Sequence, residues 1–177
     1  MVRAYAAEEM MGDEPMEETR PLKKVEDSLT EATRIVRHED IGGFGRLFGG
    51  RLMEWIDEAA GICAMRHCGG TITTASVDNL EFKTPGRIGQ VLHIVSRITY
   101  VGRTSMEVRT DSFVEDVTTG ERKLINRAYL TEVHIDQDGN ALEVPYGLEL
   151  VSDEDREEWE DALKRREMRR MRSDGGY

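Results

Sequence analysis

Apolar and polar residues along this chain change period near residue 70. Residues 49 to 67, GGRLMEWIDEAAGICAMRH, carry apolar side chains at helical spacing and run into the pair Gly69-Gly70. That pattern predicts one long apolar helix stopped by glycine. From residue 71 the period drops to two. TITTASVDNLEFKT (71–84) is rich in Thr and Val, which favour strands. QVLHIVSRITYV (90–101) alternates, with Ile94, Ile98 and Tyr100 on one face. SMEVRTDSFVEDV (105–117) sets Met106, Val108 and Val114 on one face and Glu107, Arg109 and Asp111 on the other. KLINRAYLTEVHI (123–135) is apolar on both faces, which predicts a central strand. The turn sequences TPGRIG, GRT (102–104), TTGER and DQDGN separate these runs.

Upstream of the helix, Ala32, Arg34, Val36 and His38 alternate with Thr33, Ile35 and Arg37, a short strand that borders a glycine loop from Ile41 to about Gly50. Downstream of the strands, VPYGLEL is extended and Ser152 caps a helix, SDEDREEWEDALKRREMRRMRS, with acids at its start and bases at its end. The order is short strand, one long helix, then four long antiparallel strands. This is an α+β arrangement in which the sheet wraps around the lone apolar helix. One helix cannot cover a sheet of that size, so pairing with a second copy is expected.

At 177 residues the chain fits one domain with modest extensions. Residues 1–25 read as a flexible acidic extension, 26–150 as the folded domain, and 151–177 as a charged helix and tail. The arginines between Lys164 and Arg172 read as a solvated helix end. A formal charge of −11 argues against a nucleic-acid partner. No apolar run is long enough to predict a membrane span. Cys63 and Cys68 lie five apart, on different faces of the helix, so they are expected as reduced thiols in the cytoplasm. With His67 they match no zinc spacing, and no metal is expected.

Asp57 is the informative residue. On the helix it shares a face with Met53, Ala60, Gly61 and Ala64, while Arg51, Glu54 and Glu58 form the charged stripe, so Asp57 is expected to point away from solvent. Small residues beside it leave room for a ligand. The glycines upstream offer helix N-terminal N–H groups with no intrahelical acceptor. A carboxylate and such donors suffice to hydrolyse an activated ester: the first takes a proton from water or attacks, and the second hold the oxyanion. No G-x-S-x-G motif, dinucleotide fingerprint or Walker loop is present.

GRLFGGRLMEWIDEAAG, then TTASVDNLEFKTPGRIGQ, then VGRTSMEV, in that order, resemble the acyl-CoA thioesterases of the hot-dog fold, in particular the cytosolic acyl-CoA hydrolase group. The likeness runs from about Lys24 to about Leu150. It implies a curved antiparallel sheet around one central helix, sheets joined in a dimer, often trimers of dimers, and active sites between protomers. It implies an acyl-CoA substrate and no separate cofactor, coenzyme A being part of substrate and product. By that likeness Asp57 is the catalytic carboxylate, Gly49 and Gly50 start the helix that polarises the carbonyl, and strand residues near Thr74 approach from the partner chain. Gly102, Arg103, Thr104 and Ser105 would contact coenzyme A, as would Lys83. Arg46, Arg51 and Arg87 also suit an anionic ligand. The family usually carries an asparagine three residues before the glycine matching Gly45; here that position is Gly42, so either Asn79, Thr74 or water substitutes or activity is weakened. The alternative reading is a non-catalytic acyl-CoA-binding regulatory protein. A hydratase would want a paired Asp and His, but His67 follows Asp57 by ten residues, about 1000° of helix turn, and so points elsewhere.

Overall fold

In chain order the elements are β1 (Leu22–Lys24), α1 (Val25–Ser28), β2 (Thr30–Ile35), α2 (Gly49–Cys68), β3 (Thr71–Phe82), β4 (Val91–Val101), β5 (Ser105–Asp116), β6 (Glu121–Ile135), β7 (Gly147–Glu149) and α3 (Asp153–Asp174). They belong to a computed structural model that describes residues 20–175, with the backbone alone for Asn79 and Asp174. Five strands form one antiparallel sheet in the order β2-β4-β5-β6-β3, and β1 pairs in parallel with β7 beside it. β6 has a neighbour on each side, as its two apolar faces predict, although β5 is the middle strand. β2 and β3 are the edges. β2 ends at Ile35, opposite Val91, where its partner strand begins, so Val36, Arg37 and His38 of the predicted strand fall beyond its end.

The sheet curls around α2, which touches every one of its five strands. The helix can lie that close because its inner face is small: Ala59, Ala60, Cys63 and Ala64 are at most 1% exposed, between the larger Leu52, Ile56 and Trp55. Ile94, Ile98, Met106, Val108, Ile125 and Leu130 meet it from the sheet. Gly69 ends the helix in the left-handed conformation (φ 72°) and its N–H bonds the Met65 carbonyl, which glycine does at least cost.

Two expectations about faces change. A register shift between Ile98 and Tyr100 inserts Thr99 into β4 and moves Tyr100 to the outer face, opposite Glu107. There it stacks on Trp159 of α3, with ring centroids 4.6 Å apart. The polar side of β5 is not solvated either. Glu107, Arg109 and Asp111 are 1%, 7% and 5% exposed because α3 lies across them. The basic end of that helix is therefore tied by ion pairs to buried acids. Arg165 reaches Glu107 at 2.7 Å, Arg169 reaches Asp78 at 2.8 Å and Glu107 at 3.1 Å, and Arg172 reaches Asp78 at 2.5 Å. Nearer the helix start, Arg109 joins Asp111 at 2.7 Å and Glu158 at 2.5 Å. Arg165 also sits over the Tyr129 ring, 3.6 Å from its centroid. So α3 is a third layer of the domain, and the outer face of the sheet is matched to it charge for charge.

The predicted boundary at residue 25 moves as well. Residues 1–19 lie outside the described residues, but 20–25 belong to the fold: β1 pairs with β7, Val25 is buried, and Lys23 Nζ donates to the Arg66 and His67 carbonyls at 2.8 Å, satisfying the end of α2. The alternation there was too short to reveal a three-residue strand.

Breaking a buried pair leaves a charge without its partner. Arg165→Ala is expected to destabilise the fold by about 3 kcal/mol in urea titration. Removing the exposed Arg156, whose Asp153 pair lies in solvent, should change it by less than about 1 kcal/mol.

Candidate active site

Asp57 leaves α2 at the rim of the sheet, where β3 begins. In the single chain it is exposed, as are Met53, Ile62 and Met65 on the same helix, whereas Ala60, Gly61 and Ala64 are buried. The expected orientation is thus corrected: Asp57 sits on the boundary between the buried face and solvent. Gly61 lies under Ile72, where a methyl group would already meet its Cδ1 at 3.4 Å. A partner of Asp57 comes from its own chain. Thr74 on β3 donates its hydroxyl to Asp57 Oδ1 at 2.7 Å.

Behind Thr74 stands a carboxyl that the strand pattern hid. Glu132 is directly opposite Thr74 in the β3–β6 ladder, on the core face, and is fully buried. Both of its oxygens are near Thr74 Oγ1, at 3.3 and 3.2 Å. No other hydrogen-bond or ion-pair partner meets it among the described residues. Burial, then the charge of Asp57, push its pKa from 4.5 up to about 7, with Thr74 opposing. Reading 123–135 as apolar on both faces passed over it. The signal was present: Ala128, Leu130 and Glu132 share one parity, so an inward strand face carries one acid.

The glycine loop packs upstream of α2. Gly42 N–H bonds the Arg46 carbonyl at 2.8 Å, Phe48 N–H bonds the Asp40 carbonyl at 2.9 Å, and Phe44 adopts a left-handed conformation (φ 63°) with its ring fully exposed. Gly49 and Gly50 open α2 as expected. Phe48 lies over Gly50, where a methyl would sit 2.6 Å from its ring, and Phe82 lies over Gly49. Seven residues separate Gly50 from Asp57, about 10 Å along the axis. One chain therefore does not bring the helix-start N–H groups and the carboxylate to a single carbonyl. Gly42 has φ −88°, open to any residue. The Asn79 side chain, one candidate substitute for the missing asparagine, lies outside the described residues.

The expected coenzyme contacts divide. Gly102 N–H closes the β4–β5 turn onto the Ser105 carbonyl at 2.8 Å, and the Arg20 guanidinium donates to the Gly102 carbonyl at 3.0 Å. Thr104 and Ser105 are buried in the single chain, at 7% and 3% exposure. Arg103 is accessible and lies 3.6 Å from Glu143. Lys83 is exposed at the end of β3, its N–H bonded to the Ile125 carbonyl. Arg46 and Arg87 face each other across a β-bridge, both exposed, while Arg51 pairs with the buried Asp40 at 3.2 Å.

Residues 44–121 match the family described as Thioesterase superfamily. A Bacillus subtilis protein named as the uncharacterised acyl-CoA thioester hydrolase YkhA is 38% identical over 130 residues, covering 72% of this chain and 74% of that one. An acyl-CoA hydrolase from Staphylococcus aureus, solved with coenzyme A as an asparagine-to-alanine variant, superposes with a TM-score of 0.82 at 34% identity, covering 89% of this chain and 95% of that one. The same hydrolase has been solved with an aspartate, and with a threonine, replaced by alanine. A hexameric acyl-CoA thioesterase superposes with a TM-score of 0.82 at 36% identity, covering 86% and 97% of the two chains.

The buried carboxyl makes a prediction about stability. Its proton is bound more tightly in the folded chain than in the unfolded one, so its contribution is present below pH 4.5 and is lost as pH rises through about 7. Between pH 4.5 and about 8, the stability of Glu132→Gln relative to the parent should rise by about 3 kcal/mol in urea titrations; parallel curves would refute the burial argument.

Proposed function

Because the chain belongs to the thioesterase superfamily, we propose that it hydrolyses acyl-CoA thioesters, with Asp57 as the base and Thr74 as its positioning partner. The observation that carries this reading is the 2.7 Å bond from Thr74 to Asp57 at an accessible rim. In the S. aureus hydrolase the substituted aspartate and threonine stand 17 residues apart, the spacing of Asp57 and Thr74 here. Its substituted asparagine stands 15 residues before that aspartate, the position of Gly42.

On this reading Thr74 holds one carboxylate oxygen of Asp57 and leaves the other for a water molecule. Asp57 takes a proton from that water as its oxygen attacks the thioester carbonyl carbon. Negative charge moves to the carbonyl oxygen, which helix-start N–H groups at Gly49 and Gly50 stabilise. Collapse of the tetrahedral species breaks the carbon–sulfur bond, and the proton on Asp57 passes to the departing coenzyme A sulfur. The 10 Å between Asp57 and its own helix start means that these donors come from a second copy of the chain. Homo-oligomerisation is supported by the open twelve-residue edge of β3 and by the exposed apolar side chains Met53, Ile62, Val77 and Phe82 around Asp57. Arg46 with Arg87, Arg103 and Lys83 are the cations available to coenzyme A phosphates. The buried free thiols Cys63 and Cys68 suit a reducing cytoplasm.

Gly42 favours one second reading, a protein that binds acyl-CoA without turning it over. Thiol release from a panel of acyl-CoAs separates the two: release is expected, falling at least about 10³-fold in Asp57→Asn, whereas coenzyme A binding with no release in the parent would sink the hydrolase reading. A methyl at Gly42 meets Phe48 Cδ2 at an ordinary 3.4 Å, so Gly42→Asn should fold and raise kcat by about tenfold or more if an amide there polarises the carbonyl.

A further inference from the structure

The hydroxyl of Thr74 lies between two carboxyl groups but has one proton to donate. It is 2.7 Å from Asp57 Oδ1 and 3.2 Å from Glu132 Oε2. If both acids were ionised, one of them would face an oxygen lone pair across a hydrogen-bond distance. One acid has to keep a proton, and burial selects Glu132 over the exposed Asp57: Glu132 donates to Thr74 Oγ1, and Thr74 donates its own proton to Asp57. From the cross-strand placement of Glu132 behind Thr74, its complete burial and its lack of any other partner, we infer that Glu132 is a positioning residue of the active site. It holds Thr74 as a donor to Asp57 by remaining protonated.

The surroundings of Glu132 agree. From α2 the titratable groups facing it are Asp57 and the Cys63 thiol, whose own pKa burial pushes up to about 12. From β3 it meets Thr74, and from β5 its neighbour in the ladder is Met106, which carries no charge. Among the described residues no cation pairs with it, so the neutral form is favoured. When Glu132 ionises, it competes for the Thr74 proton and places a second negative charge behind the carbon where an oxyanion forms. Turnover should therefore decline as pH rises past neutrality.

This inference rests on the hydrolase reading for its kinetic arm alone. In Glu132→Gln the side-chain amide donates to Thr74 at every pH, as the protonated acid does. The parent enzyme should lose kcat by up to about tenfold per pH unit above about 7, while Glu132→Gln shows no such descent and is faster than the parent at about pH 8 by up to about tenfold. Glu132→Leu, with nothing to donate, should be slower than both throughout. Without substrate, infrared titration should show a protonated carboxyl band at pH 6 that is absent in Glu132→Gln, with a midpoint that moves down in Asp57→Asn as the neighbouring charge is removed. Superimposable pH profiles for parent and Glu132→Gln, or no such band, overturn the proposal. A parent that releases no thiol but shows the band would sink the hydrolase reading and leave the hydrogen-bond chain standing.

Discussion

A helix can occupy the trough of a curled sheet only if its contact face is narrow enough for the strands to close around it. Here that face is built from Ala59, Ala60, Cys63 and Ala64, none more than 1% exposed. Larger side chains at these points would push α2 away from β3 and β6. The close approach has two consequences for chemistry. It brings Asp57, at the edge of the helix, to within 2.7 Å of a threonine on β3. It also leaves no room for water over Glu132, so an acid on the floor of the trough is sealed in a low-dielectric site.

The two faces of the sheet solve their packing problems by different physics. The inner face is apolar and answers to a helix of small residues. The outer face carries Glu107, Arg109 and Asp111 under a helix whose mean composition is strongly charged. Burying that many charges is favourable only because each meets an opposite one, frequently in a two-pronged arginine contact: Arg109 Nε and Nη2 both reach Asp111 Oδ2, and Arg165 reaches both oxygens of Glu107 through Nε and Nη2. Such a layer contributes register more than raw stability. A helix shifted by four residues would set Asp161 where Arg165 now meets Glu107.

The site combines these devices. One acid stands exposed at a rim and the other is sealed behind it, where burial pushes it toward its neutral form, so two carboxyl groups a hydroxyl apart lie in opposite environments. Environment, not residue type, divides the roles. About two helical turns separate Asp57 from its own helix start, and apolar side chains remain uncovered around Asp57 in the single chain.

What could be read without coordinates was what local rules govern. The bounds of α2 follow from helical periodicity and the glycine pair at its end, the four long strands from period-two alternation and turn residues, and the start of α3 from Ser152, whose hydroxyl accepts from the Asp155 N–H while the Asp155 carboxylate accepts from the Ser152 N–H. Asp57 stood out because an acid among small apolar residues on a helix is rare. The rest was settled by contacts between residues far apart in the chain. Glu132 meets Thr74 across 58 positions, and Arg172 meets Asp78 across 94. An extra residue in β4 turned Tyr100 from the core to the outer layer, and a glutamate in an apolar strand became a buried acid. Alternation says which residues share a face; what covers that face, and so whether a charge there is solvated, paired or neutral, is decided when the layers meet.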